Sequence, residues 1–251
     1  MVSGPYTVSL NTDCSPANSM SVFRFKQFEV DQTACAMKVN TDGVLIGALA
    51  DGVNANQILD IGTGTGVIAL MIAQRFPETK VDAVEIDRQA AETSAKNFAN
   101  SKFAERLRVF HGDFASINRD EYDLIVSNPP FFIDSLKSAK ETKILARHTD
   151  GSFFERLICF TANKLSDKGK CQMILPLATS QLIKQMLPAN ALHLQGIIHI
   201  KSFREDIPHR EIISFGKVES KIHESGLVIY DAPKVYSAQY AALLKNFLTI
   251  F

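Results

Sequence analysis

The sequence predicts an α/β fold, a mainly parallel β-sheet with helices on both faces. Apolar segments of strand length alternate with helical segments from about residue 57 onward. Several predicted strands end at glycines or acidic residues, as strands do where a parallel sheet carries a ligand site. The 251 residues are 46% hydrophobic and contain 27 basic and 27 acidic side chains, a composition that excludes a disordered or collagen-like chain.

The first half of the predicted sheet alternates regularly with helices. Its elements are a strand at 57–61, a helix at 66–75, a strand at 80–86, a helix at 88–102 and a strand at 107–111. The first helix is apolar on every face, which predicts burial. The second helix carries Ala91, Ala95 and Phe98 at helical spacing.

The second half begins with a strand at 122–127 that Pro129 and Pro130 stop, because proline cannot donate to a ladder. Ser152 and Glu155 form a capping-box pattern, which predicts a helix start at Ser152. The remaining predicted elements are a strand at 171–175, a helix at 179–187, an antiparallel pair at 196–203 and 210–218, an edge strand at 227–230 and a helix at 237–247.

The domain organisation predicted from these patterns is simple. Residues 1–19 contain no Lys or Arg and no apolar signal-peptide core, so we expect a flexible N-terminal tail. Residues 20–251 form one predicted domain, whose first part, about 20–55, is a cap segment. The four cysteines lack disulfide or zinc spacing, which favours reduced thiols, a cytoplasmic location and no metal. No apolar run is long enough for a transmembrane helix.

A glycine-rich turn follows the first strand, in the segment Asp60-Ile-Gly62-Thr-Gly64-Thr-Gly66. Glycines allow a tight turn and a close approach of a ligand to the backbone. The spacing departs from the dinucleotide fingerprint, and no P-loop Lys-Ser/Thr follows. Asp60 disfavours a bound pyrophosphate and suits a cation such as an amino-acid ammonium. The alternative is a turn required only for packing.

Two further strand ends carry acidic residues. Glu85 can accept hydrogen bonds from two ribose hydroxyls, unless it is simply a solvated strand end. Asp113 can accept a hydrogen bond from an adenine amino group, with Ile86 and Phe114 on either side of the ring, unless it only forms a turn. Together with the glycine turn, these residues predict a site for S-adenosylmethionine rather than for NAD or ATP.

The segment Asn128-Pro129-Pro130-Phe131 follows the strand at 122–127. The prolines stiffen the backbone, and the Asn128 side-chain oxygen and the Pro129 carbonyl can both accept hydrogen bonds. Phe131 offers a flat face for stacking. This pattern predicts a site for an amino group conjugated to a planar ring, with catalysis by positioning and electrostatics. A simple helix-breaking turn is the alternative.

These motifs together resemble the class I S-adenosylmethionine-dependent methyltransferases that act on amino nitrogen. The segments 25–28, 35–44, 128–135 and 146–150 resemble, more narrowly, the bacterial enzymes that methylate N6 of adenine 37 in a valine tRNA. The resemblance covers about residues 23–218. It implies a Rossmann-like, seven-stranded, mostly parallel sheet with one antiparallel strand.

The resemblance also implies roles for individual residues. The cofactor would be held by Thr41, Asp60, Gly62, Gly64, Glu85, Ile86, Asp113, Phe114 and Asn128, with Asp42 as a further candidate. The target adenine would be held by Asn128, Pro129 and Phe131, which are the predicted catalytic residues.

A tRNA partner requires a basic surface, although the net charge is zero. The preferred RNA contact is the stretch that follows residues 128–130, which we name the Asn-Pro-Pro corner. Its basic residues are Lys137, Lys140, Lys143, Arg147 and His148. Two further groups of basic candidates are Arg24, Lys26 and Lys38, and Arg204, His209 and Arg210. Acidic residues are interleaved with these candidates. The oligomeric state is left open.

Three other functions remain compatible with the motifs. The same chemistry would serve methylation of a protein glutamine side chain or of guanine N2 in ribosomal RNA. A protein that binds RNA without turnover is the non-enzymatic alternative, but all four motifs are intact. The segments near the N-terminus favour the tRNA enzyme over the protein-modifying one.

Overall fold

The computed structural model describes residues 22–33, 35, 37–119, 121–130 and 150–251. Within them the chain forms two compact units. The first comprises residues 22–118 together with 241–251, and the second comprises residues 119–240. The predicted N-terminal tail lies outside the described residues. The single-domain organisation stays a prediction.

The first unit is a layered β/α arrangement. Its elements are β1 (Val22–Arg24), β2 (Glu29–Asp31), α1 (Thr41–Leu49), β3 (Gln57–Ile61), α2 (Val67–Arg75), β4 (Lys80–Glu85), α3 (Arg88–Ala99) and β5 (Leu107–His111). Strands β3, β4 and β5 are parallel neighbours, with β4 in the centre. The prediction of strands alternating with helices is confirmed here, and α2 is buried from Val67 to Ala73 as its uniform apolarity indicated.

The register of these strands brings the ligand-binding candidates to one edge. Ile61 pairs with Val84, and Glu85 pairs with His111, so three consecutive strands end side by side. Strands of a parallel sheet that is covered on both faces read as continuous apolar runs, which explains why Ile58 and Leu59 are fully buried. The loops after β3, β4 and β5 therefore share one edge of the sheet.

An N-terminal hairpin and the C-terminal residues pack together within the first unit. Strands β1 and β2 are antiparallel, and Phe25, which follows β1, bridges to Leu248. The Lys26 ammonium donates hydrogen bonds to the backbone oxygens of Lys245, at 2.5 Å, and Phe251, at 2.6 Å. The last eleven residues are thus an integral part of the unit that begins near residue 22.

The second unit contains the remaining strands. Its elements are β6 (Tyr122–Ser127), α4 (Asp150–Lys164), β7 (Leu165–Leu175), α5 (Leu177–Met186), β8 (His193–Lys201), β9 (Arg210–Gly216), β10 (His223–Val228), β11 (Tyr230–Ala232), β12 (Val235–Tyr236) and the start of α6 (Ala238–Leu244). The sheet order is β6-β7-β9-β8-β10. Strand β9 is antiparallel to both of its neighbours, whereas β6 is parallel to β7 and β10 is parallel to β8.

The α/β class, the mostly parallel sheet and the single antiparallel strand are confirmed, whereas the strand count and several element bounds differ. The described sheet strands number three in the first unit and five in the second, against seven in total, because β10 adds a parallel edge. Helix α4 begins at Asp150, so Ser152 lies inside it and the capping-box prediction was wrong. Strand β7 begins six residues earlier than predicted, since its polar first half still pairs at Leu165 with β6.

No helix in the described part of the chain is long and apolar enough to cross a membrane.

Candidate functional site

The turn after β3 is built by glycines in left-handed backbone conformations. Gly62, Gly64 and Gly66 have φ angles of +72°, +56° and +85°. A Cβ atom added at Gly62 or Gly64 would meet nothing within 4 Å, whereas one at Gly66 would lie 2.5 Å from Cε1 of Phe98. Gly66 therefore serves the packing of the turn on α3, and the first two glycines leave open space above the backbone.

A substitution pair separates these two roles. Gly66→Ala combines an unfavourable backbone conformation with a clash against a buried ring, so we expect a loss of at least about 2 kcal/mol in the free energy of unfolding. Gly62→Ala introduces only the unfavourable backbone conformation, so we expect it to lower the free energy of unfolding by roughly 1–2 kcal/mol. Urea unfolding measures both. An equal loss in the two variants would contradict the packing role of Gly66.

Glu85 holds the turn from the end of the neighbouring strand. One carboxylate oxygen accepts a hydrogen bond from the backbone N–H of Gly64, at 2.8 Å, and the other from that of Asp87, at 2.9 Å. Its backbone oxygen accepts a hydrogen bond from Gly112, at 2.8 Å. Each carboxylate oxygen has two lone pairs, so the fixed side chain can still accept hydrogen bonds from a vicinal diol such as a ribose. Glu85 is therefore not a loosely solvated strand end.

Asp60 is fully buried at the end of β3. Its Oδ2 accepts a hydrogen bond from the Thr63 hydroxyl, at 2.6 Å, and its Oδ1 has no hydrogen-bond partner among the described residues. Burial raises the pKa of this carboxyl from 3.8 to about 7, and the charge of Glu85 adds to the effect, while the hydrogen bonds from Thr63 and from the backbone of Ala69 oppose it. An unpartnered carboxylate oxygen suits a cationic group.

The raised pKa of Asp60 predicts a pH dependence of stability. Between pH 3.8 and about 7 the unfolded chain loses this proton while the folded chain keeps it, so the contribution of Asp60 to the free energy of unfolding falls as pH rises. The total change is on the order of 4 kcal/mol. Urea unfolding of the wild type and of Asp60→Asn at pH 4.5 and pH 8 isolates it. The difference between the two proteins should change with pH; a constant difference would contradict the prediction.

The adenine-binding candidates lie after β4 and β5. Ile86 is 70% exposed, whereas Phe114 is buried, so of the two apolar side chains only Ile86 offers a large free face. Asp113 accepts a hydrogen bond from the backbone N–H of Ala115, at 2.8 Å, and so caps a single 3-10 turn. The turn-forming role is thus real, and it is compatible with ligand binding because a carboxylate has several acceptor positions.

Two residues that position this site were missed in the sequence. The buried Asn97 of α3 donates hydrogen bonds to the backbone oxygens of Thr65 and Asp31, at 2.8 and 3.0 Å, and so ties the glycine turn to β2. The available signal was an asparagine inside a helix, where it is intrinsically unfavourable. Asn40 caps α1 by accepting a hydrogen bond from Gly43, which leaves Thr41 exposed in the first turn of that helix.

The target-binding candidates belong to the second unit. Strand β6 ends at the buried Ser127, and Asn128 and Pro129 follow it directly. The side-chain oxygen of Asn128 is buried and has no hydrogen-bond partner among the described residues. A buried amide oxygen without a donor is unfavourable unless a ligand supplies the donor. Phe131, Lys137, Lys140, Lys143, Arg147 and His148 lie outside the described residues.

The first unit fits S-adenosylmethionine. The open space over Gly62 and Gly64, the unpartnered oxygen of Asp60 and the anchored carboxylate of Glu85 can receive an amino-acid ammonium and a ribose diol. In the described segments, no group of three or more His, Cys, Asp or Glu side chains is arranged to hold a metal ion.

The chain is similar to known proteins along most of its length. The family model described as methyltransferase small domain matches residues 39–189. A tRNA1(Val) (adenine(37)-N6)-methyltransferase of Pedobacter heparinus is 48% identical, over 92% of this chain and 99% of that protein. The chain belongs to the tRNA1(Val) (adenine(37)-N6)-methyltransferase family. The protein of the same name from Porphyromonas gingivalis strain W83 is 38% identical, over 91% of this chain and 95% of its own.

Family membership settles the class of reaction. The chain is a methyltransferase whose cofactor is S-adenosylmethionine, as its motifs predicted. Among solved structures, a predicted O-methyltransferase from Agrobacterium tumefaciens is similar, with a TM-score of 0.63 at 17% identity, covering 82% of this chain and 96% of its own. That likeness shows the fold, and it confirms the Rossmann-like architecture.

Proposed function

We propose that the protein methylates N6 of adenine 37 in the anticodon loop of tRNA1(Val). The observation that carries the proposal is the buried side-chain oxygen of Asn128, which lacks a donor among the described residues and directly precedes two prolines. An exocyclic amine supplies the missing N–H. The relatives named as tRNA1(Val) (adenine(37)-N6)-methyltransferases support adenine 37 as its source.

The proposed mechanism begins with the amine. Its lone pair is delocalised into the adenine ring, so the nitrogen is a weak nucleophile. The Asn128 side-chain oxygen and the Pro129 backbone oxygen accept hydrogen bonds from its two N–H groups, which draws the nitrogen towards a tetrahedral geometry. The lone pair is then localised and directed. Because the corner is stiffened by proline, this geometry exists before the base arrives.

The remaining steps need little from the protein. S-adenosylmethionine supplies an electrophilic methyl group on a sulfonium. Glu85 and Asp60 would hold the ribose and the ammonium of the cofactor, and Phe131, which lies outside the described residues, would stack on the target ring. The methylated nitrogen is strongly acidic, so its proton passes to water without a dedicated base. Adenine 37 is unpaired, so its extrusion requires less energy than extrusion from a duplex.

The test uses tRNA lacking the modification. The purified protein is incubated with labelled S-adenosylmethionine and total tRNA from a strain without the enzyme, and the modified nucleoside is mapped by mass spectrometry. N6-methyladenosine at position 37 of tRNA1(Val), absent from a transcript with guanine at that position, is the expected result. Label that enters only release factors or ribosomal RNA would refute the proposal and favour glutamine or guanine-N2 methylation.

The proposal includes a basic contact after the catalytic corner and a cytoplasmic location, where tRNA is modified. Charge reversal at Lys140 and Lys143, which lie outside the described residues, should weaken tRNA binding and leave S-adenosylmethionine binding unchanged. Unchanged affinity for tRNA at low salt would remove this segment from the interface.

A further inference from the structure

The loop between β8 and β9, residues 202–209, lies at the same edge of the second unit's sheet as the Asn-Pro-Pro corner. Ser127 pairs with Met173 near the end of β7, and Leu175 at that end pairs with Glu211 at the start of β9. Ile200, at the end of β8, pairs with Arg210. The loop is therefore about 14 Å from the corner, across three strand spacings.

An aromatic stack ends in this loop. The ring centroids of Tyr236 and Tyr240 are 5.1 Å apart, those of Tyr230 and Tyr236 are also 5.1 Å apart, and those of Phe203 and Tyr230 are 5.7 Å apart. Tyr240 is buried, Tyr236 is partly exposed, and Tyr230 and Phe203 are half-buried. Phe203 is the last ring of this stack among the described residues, so a planar group that packed on it would extend the stack.

The tip of the same loop carries an exposed apolar side chain beside a cation. Ile207 is 82% exposed, the highest value for a large hydrophobic side chain in the described part of the chain. Arg204 is also exposed. The backbone N–H of Phe203 donates a hydrogen bond to the carboxylate of Asp206, at 3.0 Å, which fixes the turn from Phe203 to Asp206. An aromatic face, an apolar wedge and an arginine are the side chains that bind unpaired nucleotides.

We propose that residues 202–209 form a second RNA contact, in which Phe203 and Ile207 pack against an unpaired base near the target and Arg204 contacts the backbone phosphate. This inference rests on the proposed function for the presence of RNA. The proposed contact with the anticodon loop is separate from the Asn-Pro-Pro corner. The basic candidates Arg204 and His209 lie in this loop, and Arg210 follows it at the start of β9.

The test measures RNA binding directly, so that it does not depend on catalysis. The dissociation constant of a fluorescent tRNA1(Val) anticodon stem-loop is determined in the presence of S-adenosylhomocysteine for the wild type, Ile207→Ser, Phe203→Leu and Phe203→Tyr. We expect the first two variants to bind at least about 5-fold more weakly and Phe203→Tyr to bind like the wild type, because it keeps the ring. Arg204→Gln should lower the salt slope by about one.

Val53→Ser is the matched control. Val53 is 69% exposed and lies in the loop before β3, a segment to which no ligand-binding role is assigned, so its replacement should leave RNA affinity unchanged. Thermal unfolding should be unchanged in Ile207→Ser as well, since its side chain is not buried. If both Ile207→Ser and Phe203→Leu bound RNA with wild-type affinity, the inference would be overturned. The proposed function would be unaffected if tRNA1(Val) were still methylated. If RNA binding depended on residues 202–209 but no tRNA were methylated, only the proposed function would be refuted.

Discussion

Replacing Asn128 with alanine should lower kcat for methylation by roughly 100- to 1000-fold, whereas S-adenosylmethionine should still bind, because the other assigned cofactor-binding residues remain. The side-chain oxygen of Asn128 is the acceptor proposed to reshape the target amine, and removing one such preorganised group has an effect of that size in other enzymes. The buried oxygen has no internal donor among the described residues, so its removal breaks no hydrogen bond seen in the folded protein. Steady-state kinetics with tRNA and calorimetry with the cofactor measure the two quantities.

Asn163→Ala is the control for this substitution. Asn163 is exposed on α4, where its amide lies 3.6 Å from the sulfur of Cys159, and no catalytic role is assigned to it. Its loss should not change kcat. If Asn128→Ala retained full activity, the mechanism proposed for the Asn-Pro-Pro corner would be wrong, because no other side chain is assigned the acceptor role. Weaker cofactor binding alone would indicate that Asn128 acts on the cofactor.

Replacing Glu85 with alanine should weaken S-adenosylmethionine binding by about 100-fold or more. The substitution removes the proposed acceptor for the ribose hydroxyls and also the two hydrogen bonds that hold Gly64 and Asp87. Hydrogen bonds to a charged group each contribute roughly 1.5–3 kcal/mol, so the loss of two at the ribose gives at least this factor. Titration calorimetry with the cofactor is the direct measurement.

Glu92→Ala is the matched control, because it removes one carboxylate from the protein just as Glu85→Ala does. Glu92 lies on the exposed side of α3 and forms an ion pair with Arg88, at 2.9 Å. Exposed pairs of this kind contribute little, and the cofactor affinity should stay within about twofold of the wild type. Equal affinities for the cofactor in the Glu85 and Glu92 variants would contradict the role of Glu85 in binding the ribose.

The strand ends of the first unit could be predicted because local sequence determines them. Residues 57–61 and 107–111 are strands with the predicted bounds, and the helix predicted at 66–75 begins one residue later and ends at Arg75 as predicted. Glycines with positive φ and carboxylates next to them leave a pattern that a single segment carries. The site candidates Asp60, Glu85 and Asp113 therefore occupy the predicted strand ends.

The parts that escaped prediction depend on contacts between distant segments. Strand β7 extends back to Leu165 through a polar stretch that has no strand pattern of its own, and its partner β6 lies about forty residues earlier. Asn97 binds Asp31 and Thr65, which lie 66 and 32 residues away. The aromatic stack from Phe203 to Tyr240 is likewise assembled from three separate segments. No local periodicity indicates such contacts.

The return of residues 241–251 to the hairpin at Phe25 and Lys26 has a consequence for the order in which the first unit folds. Lys26 and Lys245 are 219 residues apart in sequence, yet they are joined by a hydrogen bond. Contacts of such large sequence separation require the closure of a long loop, which is entropically unfavourable until the contact has formed. We therefore expect the hairpin and residues 241–251 to join the first unit late in folding, after its local strand and helix contacts.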